Sequence, residues 1–354
     1  TRFRTHYLRE NPMTIDMHAH WRPPELIDAL RNRDTPPKVE TNSDGMEILN
    51  DGRWNKPTDE AFDDVEARLA EMDELGISTA VLSLGGGFTW IERLAVQESL
   101  PLVRTYNDSV SAICQKHEGR FAGFASLPEA NISVAAEEFD RALSLPGMVG
   151  AQVPGNGFLT YGDAEQMRPI LEVANKHKAV VFVHFGPRPG DTWPRVAKGA
   201  DNHRRRIGTL DMQASLSSNM VTLCLTDYLD DYPDAKVQLH NLGGNIPFEI
   251  ERMDHRCLLD TPDEELPSKR IAAAPVIVDC NSFGARAIEA GVRAYGEDRI
   301  VFGTDGSAFG CDWSTKALSE ADIGDTAKQK ILHHNAANML SHLVPLAKTG
   351  RAAQ

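Results

Sequence analysis

The segment Met13-Thr14-Ile15-Asp16-Met17-His18-Ala19-His20-Trp21 decides between two α/β architectures. Residues 13–17 read as the first strand of a chain in which short Val-, Ile- and Phe-rich runs alternate with amphipathic stretches. A dinucleotide-binding open sheet would carry GxGxxG straight after that strand. Here His18-Ala19-His20-Trp21 follows instead. The triplet Gly85-Gly86-Gly87 comes only after the second run and lacks both the GxGxxG spacing and a following lysine, so it reads as a tight turn beside a pocket.

Outward from this segment, further runs occupy residues 78–84, 121–127, 148–153, 180–185, 236–241, 275–281 and 299–305. Helical patterns lie over 58–75, 100–117, 133–143, 163–177, 285–295 and 326–340, the first ending at Gly76 and the second just before Gly119. Eight strand-helix pairs in series predict a (β/α)8 TIM barrel of parallel strands. Residues 13–345 form this single barrel, preceded by an arm at 1–12 and followed by a flexible tail at 346–354. Two connections are longer than the usual two to six residues. Residues 21–57 carry Pro23-Pro24, Pro36-Pro37 and Asn50-Asp51-Gly52 and predict a small hairpin or lid; residues 186–211 form a long loop. Both emerge at C-terminal strand ends, the face where a barrel carries its active site.

The formal charge of −14 opposes attraction to nucleic acid or to an anionic membrane. The main basic cluster, His203-Arg204-Arg205-Arg206, reads as a solvated loop, a carboxylate anchor or a subunit contact. No apolar run approaches the roughly 20 residues needed to cross a bilayer. The first twelve residues contain three arginines but no apolar core or cleavage pattern, so they do not read as a secretory signal. The cysteines, five in number, are far apart and without a CxxC pair, which points to a reducing cytoplasm and away from a thiolate zinc site.

Residues i and i+2 of a strand point the same way, so His18 and His20 can place two imidazoles on one ion. His184 ends the apolar run 179–183, and Asp305 ends the run 300–304. At a strand mouth, His184 is either a satisfied core histidine or a third imidazole on that ion. A bare carboxylate at Asp305 is costly unless paired or bound to metal. His18, His20, His184 and Asp305 therefore form a candidate metal site suited to Zn2+, with Mn2+ or Fe2+ as alternatives and no nucleotide or organic cofactor. Asp305 is also a candidate general base. Arg53, Trp90, Arg188 and Trp193 on the long loops and turns are candidate substrate-binding residues.

With those residues in place, the chain resembles the amidohydrolase superfamily, in the branch of aminocarboxymuconate semialdehyde decarboxylase. The resemblance runs from Ile15 onward through Glu71-Met72-Asp73-Glu74-Leu75-Gly76-Ile77, Phe182-Val183-His184, Leu242-Gly243-Gly244 with Pro247-Phe248, Val301-Phe302-Gly303-Thr304-Asp305 and Asn335-Ala336-Ala337. It implies metal binding by His18, His20, His184 and Asp305, and decarboxylation, hydrolysis or hydration of carboxylate-bearing compounds. At the sixth strand the family carries a histidine before its glycines; here direct register puts Asn241 in that place and His240 one residue early, which on a strand means the opposite face. Asn241 is therefore the expected inward residue, with His240 inward only if a bulge or twist turns it.

The leading expectation is a metal-dependent C–C lyase that removes CO2 from a small carboxylate. Metal-dependent hydrolysis and dinuclear-metal oxygen activation are alternatives. Because asparagine cannot exchange a proton near neutral pH, a fourth reading is a catalytically altered partner of a homologous active chain, in a hetero-oligomer rather than a homo-oligomer.

Overall fold

A computed structural model describes residues 13–52, 55–58, 63–84, 90–193, 202–306 and 311–347. Eight parallel strands form one sheet in sequence order: β1 (Thr14–His20), β2 (Ile77–Ser83), β3 (Phe121–Ala125), β4 (Met148–Pro154), β5 (Val180–His184), β6 (Lys236–Leu239), β7 (Val276–Asp279) and β8 (Ile300–Val301). The sheet closes on itself. Beyond the short ladder of β8, the amide of Met17 donates to Phe302 O, that of Asp305 donates to His18 O at 2.8 Å, and Ala19 bridges Gly306. The expected TIM barrel is what the chain adopts.

The strands are buried on both faces, which is why their sequences read as near-continuous apolar runs. Ile15, Met17, Val81, Ala122, Phe124, Val149, Val180, Phe182 and Val301 share an inner cluster. Ala80, Leu82, Val181, Val183, Val237, Leu239, Val276 and Val278 pack in a second cluster with the surrounding helices. At the N-terminal strand ends, Ala336, Met339 and Leu340 join the inner cluster. Nearby, His333 Nδ1 bonds Met13 O and Asn335 donates to Ile300 O.

Several boundaries differ from the sequence expectation for local reasons. The helix expected from residue 58 begins at Val65, where Asp64 caps it by accepting from the amides of Glu66 and Ala67. The helix expected over 163–177 divides into Tyr161–Glu165 and Arg168–His177, with Pro169 in the first turn of the second piece. The cover after β1 is larger than a hairpin: helix Pro24–Arg31 precedes a three-stranded antiparallel sheet of Lys38–Thr41, Glu47–Asn50 and Asn55–Pro57. The basic stretch expected as a loop is helical from His203, runs through a wide π turn at Arg206–Asp211 and continues into helix Met212–Cys224. Among the described residues, no helix is long and apolar enough to cross a membrane.

Candidate metal centre

The site is built at the C-terminal strand ends, beginning at the seam where β1 meets β8. β1 slips register against β2 between Asp16 and Ala19, so one extra residue is inserted there. Met17 belongs to the inner cluster, and the slip lets His18 face inward as well, its ring 4.8 Å from that of Phe182. The seam is tied by side chains. Asp16 accepts from the amides of His18 and Thr304 and from the Thr304 hydroxyl, and burial pushes its carboxyl up to about 7. Arg68, from helix Val65–Leu75, donates to the carbonyls of His20 and Gly306.

Hydrogen bonds set the imidazole tautomers. His18 Nδ1 lies 2.9 Å from Asp279 Oδ2, and His184 Nδ1 lies 3.0 Å from Phe185 O. Both partners only accept, so both Nδ1 atoms carry the proton. His20 Nδ1 lies 2.8 Å from Ser83 Oγ, whose own proton goes to Ala19 O. Each of the three Nε2 atoms thereby presents a lone pair rather than a proton. They converge: His18 Nε2 and His20 Nε2 are 3.2 Å apart, and the donor atoms of His18, His20 and His184 lie within 4.8 Å of one another.

Asp305 completes the group. Its Oδ1 is 3.0 Å from His20 Nε2 and 3.7 Å from His18 Nε2. It is aimed there by a left-handed backbone, φ 54°, uncommon for a residue other than glycine. Two imidazole lone pairs at 3.2 Å cannot bond each other, whereas ligands about 2.0–2.2 Å from one ion sit at about this mutual spacing. His184 Nε2 is buried without a hydrogen-bond partner. Burial lowers the His18 ring to about 3 and the His184 ring well below its usual value, so both stay neutral. For Asp305, burial acts upward, but the close rings of His20, His18 and His240 together hold its carboxyl below the usual range. Three neutral imidazoles and a carboxylate fit a divalent ion without a thiolate.

Asp279, at the end of β7, is the supporting residue that sequence reasoning missed. Its Oδ2 meets His18, and its Oδ1 accepts from the amide of Asn241 at 2.9 Å. Ser83 and Arg68 were missed likewise, because each acts on a histidine far away in sequence. Asp279→Asn would present an amide NH2 or a poorer acceptor to the His18 N–H. Such partners hold a ligand's orientation. The variant is expected to bind its metal about 10- to 100-fold more weakly, read by chelator competition, while remaining folded by circular dichroism.

The expected register at β6 is corrected. The His240 ring lies 4.7 Å from His18 and stacks on His184 at 4.3 Å, and its donor atom clusters with those of His18 and Asp305. Strand alternation explains this. Val237 and Leu239 pack among the helices, while Gln238 reaches inward to Met17 O and Asp279, so His240 shares the inner face with Gln238. Asn241 follows the strand at φ 59°, and its side chain bonds His240 and Gln213. The reason for reading the chain as catalytically altered is therefore removed. Burial lowers His240 to about 3, a neutral ring.

The loop residues are less tightly gathered. Trp90 is stacked by the Arg93 guanidinium at 4.2 Å, and Trp193 packs on Phe185 at 4.8 Å, one residue past His184. Arg188 pairs with Asp163 at 2.8 Å and lines a cavity of about 480 Å3 with Glu129, Gln166 and Asp191, among whose walls none of the clustered histidines appears. Arg53 lies outside the described residues. Arg93, which sequence reasoning did not single out, donates to Pro187 O and holds the turn after β2 against the loop after β5.

Fold and donor set together define a barrel of the metal-dependent enzyme class. The chain belongs to the amidohydrolase family, whose description, Amidohydrolase, matches residues 15–341. It is 27% identical over 322 residues to a gamma-resorcylate decarboxylase of Polaromonas sp. (strain JS666 / ATCC BAA-500), covering 85% of this chain and 94% of that protein. It is 23% identical to the 2-amino-3-carboxymuconate-6-semialdehyde decarboxylase of Dictyostelium discoideum, covering 93% of this chain and 91% of that one. The crystal structure of a dihydroxybenzoic acid decarboxylase from Polaromonas sp. JS666, with bound manganese and the inhibitor 2-nitroresorcinol, superposes with a TM-score of 0.69 at 22% identity over 93% of this chain and 97% of that one.

Proposed function

We propose that this chain is a divalent-metal-dependent, non-oxidative decarboxylase of a small hydroxylated aromatic carboxylate. The observation that carries the reading is the convergence of three Nε2 lone pairs and Asp305 Oδ1 beside a neutral, inward His240. His18, His20, His184 and Asp305 would hold the ion. When bound, it supplies Lewis acidity toward substrate oxygens. Manganese in the Polaromonas relative and the thiolate-free donor set both favour Mn2+ or Zn2+.

The residues would handle one proton and one donor. Asp305, a carboxylate at rest, takes a proton from solvent and passes it to the ring carbon bearing the carboxylate. That carbon's bond to CO2 then breaks, its electron pair returns to the ring, and CO2 leaves. The sum is carboxylate plus one proton giving arene plus CO2. His240, held neutral by burial, acts as a hydrogen-bond donor to a substrate oxygen rather than as a cationic acid. No redox partner is required by this balance.

The test is CO2 release from a panel of hydroxybenzoates by chelator-stripped protein, before and after metal return. Stripped protein should be inactive, and Mn2+ or Zn2+ should restore turnover. Equal activity with and without metal would end the proposal, as would hydrolysis of an ester or amide panel with no CO2 released from any carboxylate.

A further inference from the structure

We infer that Gln213 and Asn241 form a buried amide pair that holds His240 in its Nε2–H form, so that its one proton lies on a defined nitrogen, donated to Asn241 Oδ1 at rest and turned to a substrate oxygen when one binds. The inference rests on the role given to His240 above.

The other ring nitrogen sets the logic. His240 Nδ1 faces the backbone amide of Phe185 at 3.4 Å. An amide N–H can only donate, so Nδ1 must offer a lone pair and the neutral ring must carry its proton on Nε2. Two carboxamides surround that nitrogen, the Asn241 amide at 3.0 Å and the Asn281 amide at 3.4 Å. The oxygen and nitrogen of an amide exchange places without changing its shape, so the network decides which faces the ring. Nε2–H requires Asn241 Oδ1. The Asn241 NH2 then points at Gln213, 2.9 Å away, and requires Gln213 Oε1 there. With the Gln213 and Asn281 amides turned the other way, Gln213 Oε1 and Asn281 Oδ1 are buried without a partner.

The backbone is shaped to bring Asn241 to this place. Four consecutive residues, Asn241, Leu242, Gly243 and Gly244, have φ between 52° and 78°. Asparagine tolerates that region and leucine does not, so the turn is retained against a local cost. It is held by the Asn241 amide on Asp279 Oδ1 and by the Tyr295 hydroxyl on Leu242 O. Gly244 cannot be replaced, since a Cβ there would lie 2.4 Å from Gln213 O. The same turn thus fits against the backbone of the residue that supports Asn241. Gln213 comes from helix Met212–Cys224 and has no bond to His240 itself, which makes it a positioning residue at one remove.

The test is 15N spectroscopy of Zn2+-loaded protein labelled at histidine, with the His240 signals identified by their loss in His240→Gln. The wild type should show Nε2–H at His240. Asn241→Gly suits the positive φ and removes only the side chain; it should give a mixture of tautomers and lower kcat about tenfold, with KM and metal content unchanged. Gln213→Met, which leaves Asn241 in place, should give the same loss in smaller degree. Nδ1–H in the wild type would overturn the inference, as would a pure Nε2–H signal in both variants. A fall in kcat without a tautomer change would overturn it too, since it would make Asn241 a substrate contact. The tautomer is read without turnover, so failure to release CO2 would remove the decarboxylase reading and leave this measurement standing.

Discussion

Asp305→Ala protein should lose CO2 release by about 10²- to 10⁴-fold or more, the range associated with a positioned proton-transfer group. Two effects add in the same direction. The substitution removes the carboxylate that lies 3.0 Å from His20 Nε2, leaving three neutral imidazoles to hold a dication. It also removes the group assigned to carry the proton to carbon. Elemental analysis beside the rate separates the two. Asp305→Asn keeps the shape and a neutral oxygen, so its residual metal measures the charge contribution, and its rate at saturating metal measures the proton contribution. Wild-type turnover in metal-saturated Asp305→Ala would show that neither role belongs to this residue.

His240→Ala should lose about 10²- to 10³-fold in kcat, the cost of deleting a preorganised donor in a buried site. Its metal content should stay near that of the wild type. The ring stacks on His184 at 4.3 Å but is outside the set of three imidazoles whose Nδ1 atoms are tied down by Asp279, Ser83 and Phe185. This contrast distinguishes it from Asp305, whose loss should reduce both metal and rate. Full loss of metal in His240→Ala would make it a ligand instead, with the cluster of His18, His240 and Asp305 as the binding set. Substitution by Asn, which can still donate one hydrogen bond, is expected to recover part of the rate.

The amino-acid sequence by itself determined the barrel and the candidate ligands. Eight apolar runs in order carry an architecture, and strand ends are where a barrel's chemistry collects. His18, His20, His184 and Asp305 are legible because each is a polar residue at or just past the end of an apolar run, a place where only a strand mouth makes sense of it. Helix Ala285–Tyr295 matches its expected span because Gly284 and Gly296 flank an uninterrupted amphipathic pattern.

What only the tertiary structure decided is which way β6 turns and what supports the candidate ligands. A strand buried on both faces has no polar side to mark its orientation, so whether His240 or Asn241 faces inward depends on a phase set by neighbouring strands. The polar Gln238 marks the inner face, but its meaning appears only when Met17 and Asp279 are found beside it. Asp279, Ser83 and Arg68 were invisible for a related reason. Each acts on a histidine of another element: Ser83 through the pairing of β1 with β2, Arg68 from the helix between those strands, and Asp279 through barrel closure, 261 residues from His18 along the chain. Periodicity records which residues share a face of their own element; hydrogen bonds at the barrel mouth join different elements, and only the packing of those elements brings them within 3 Å.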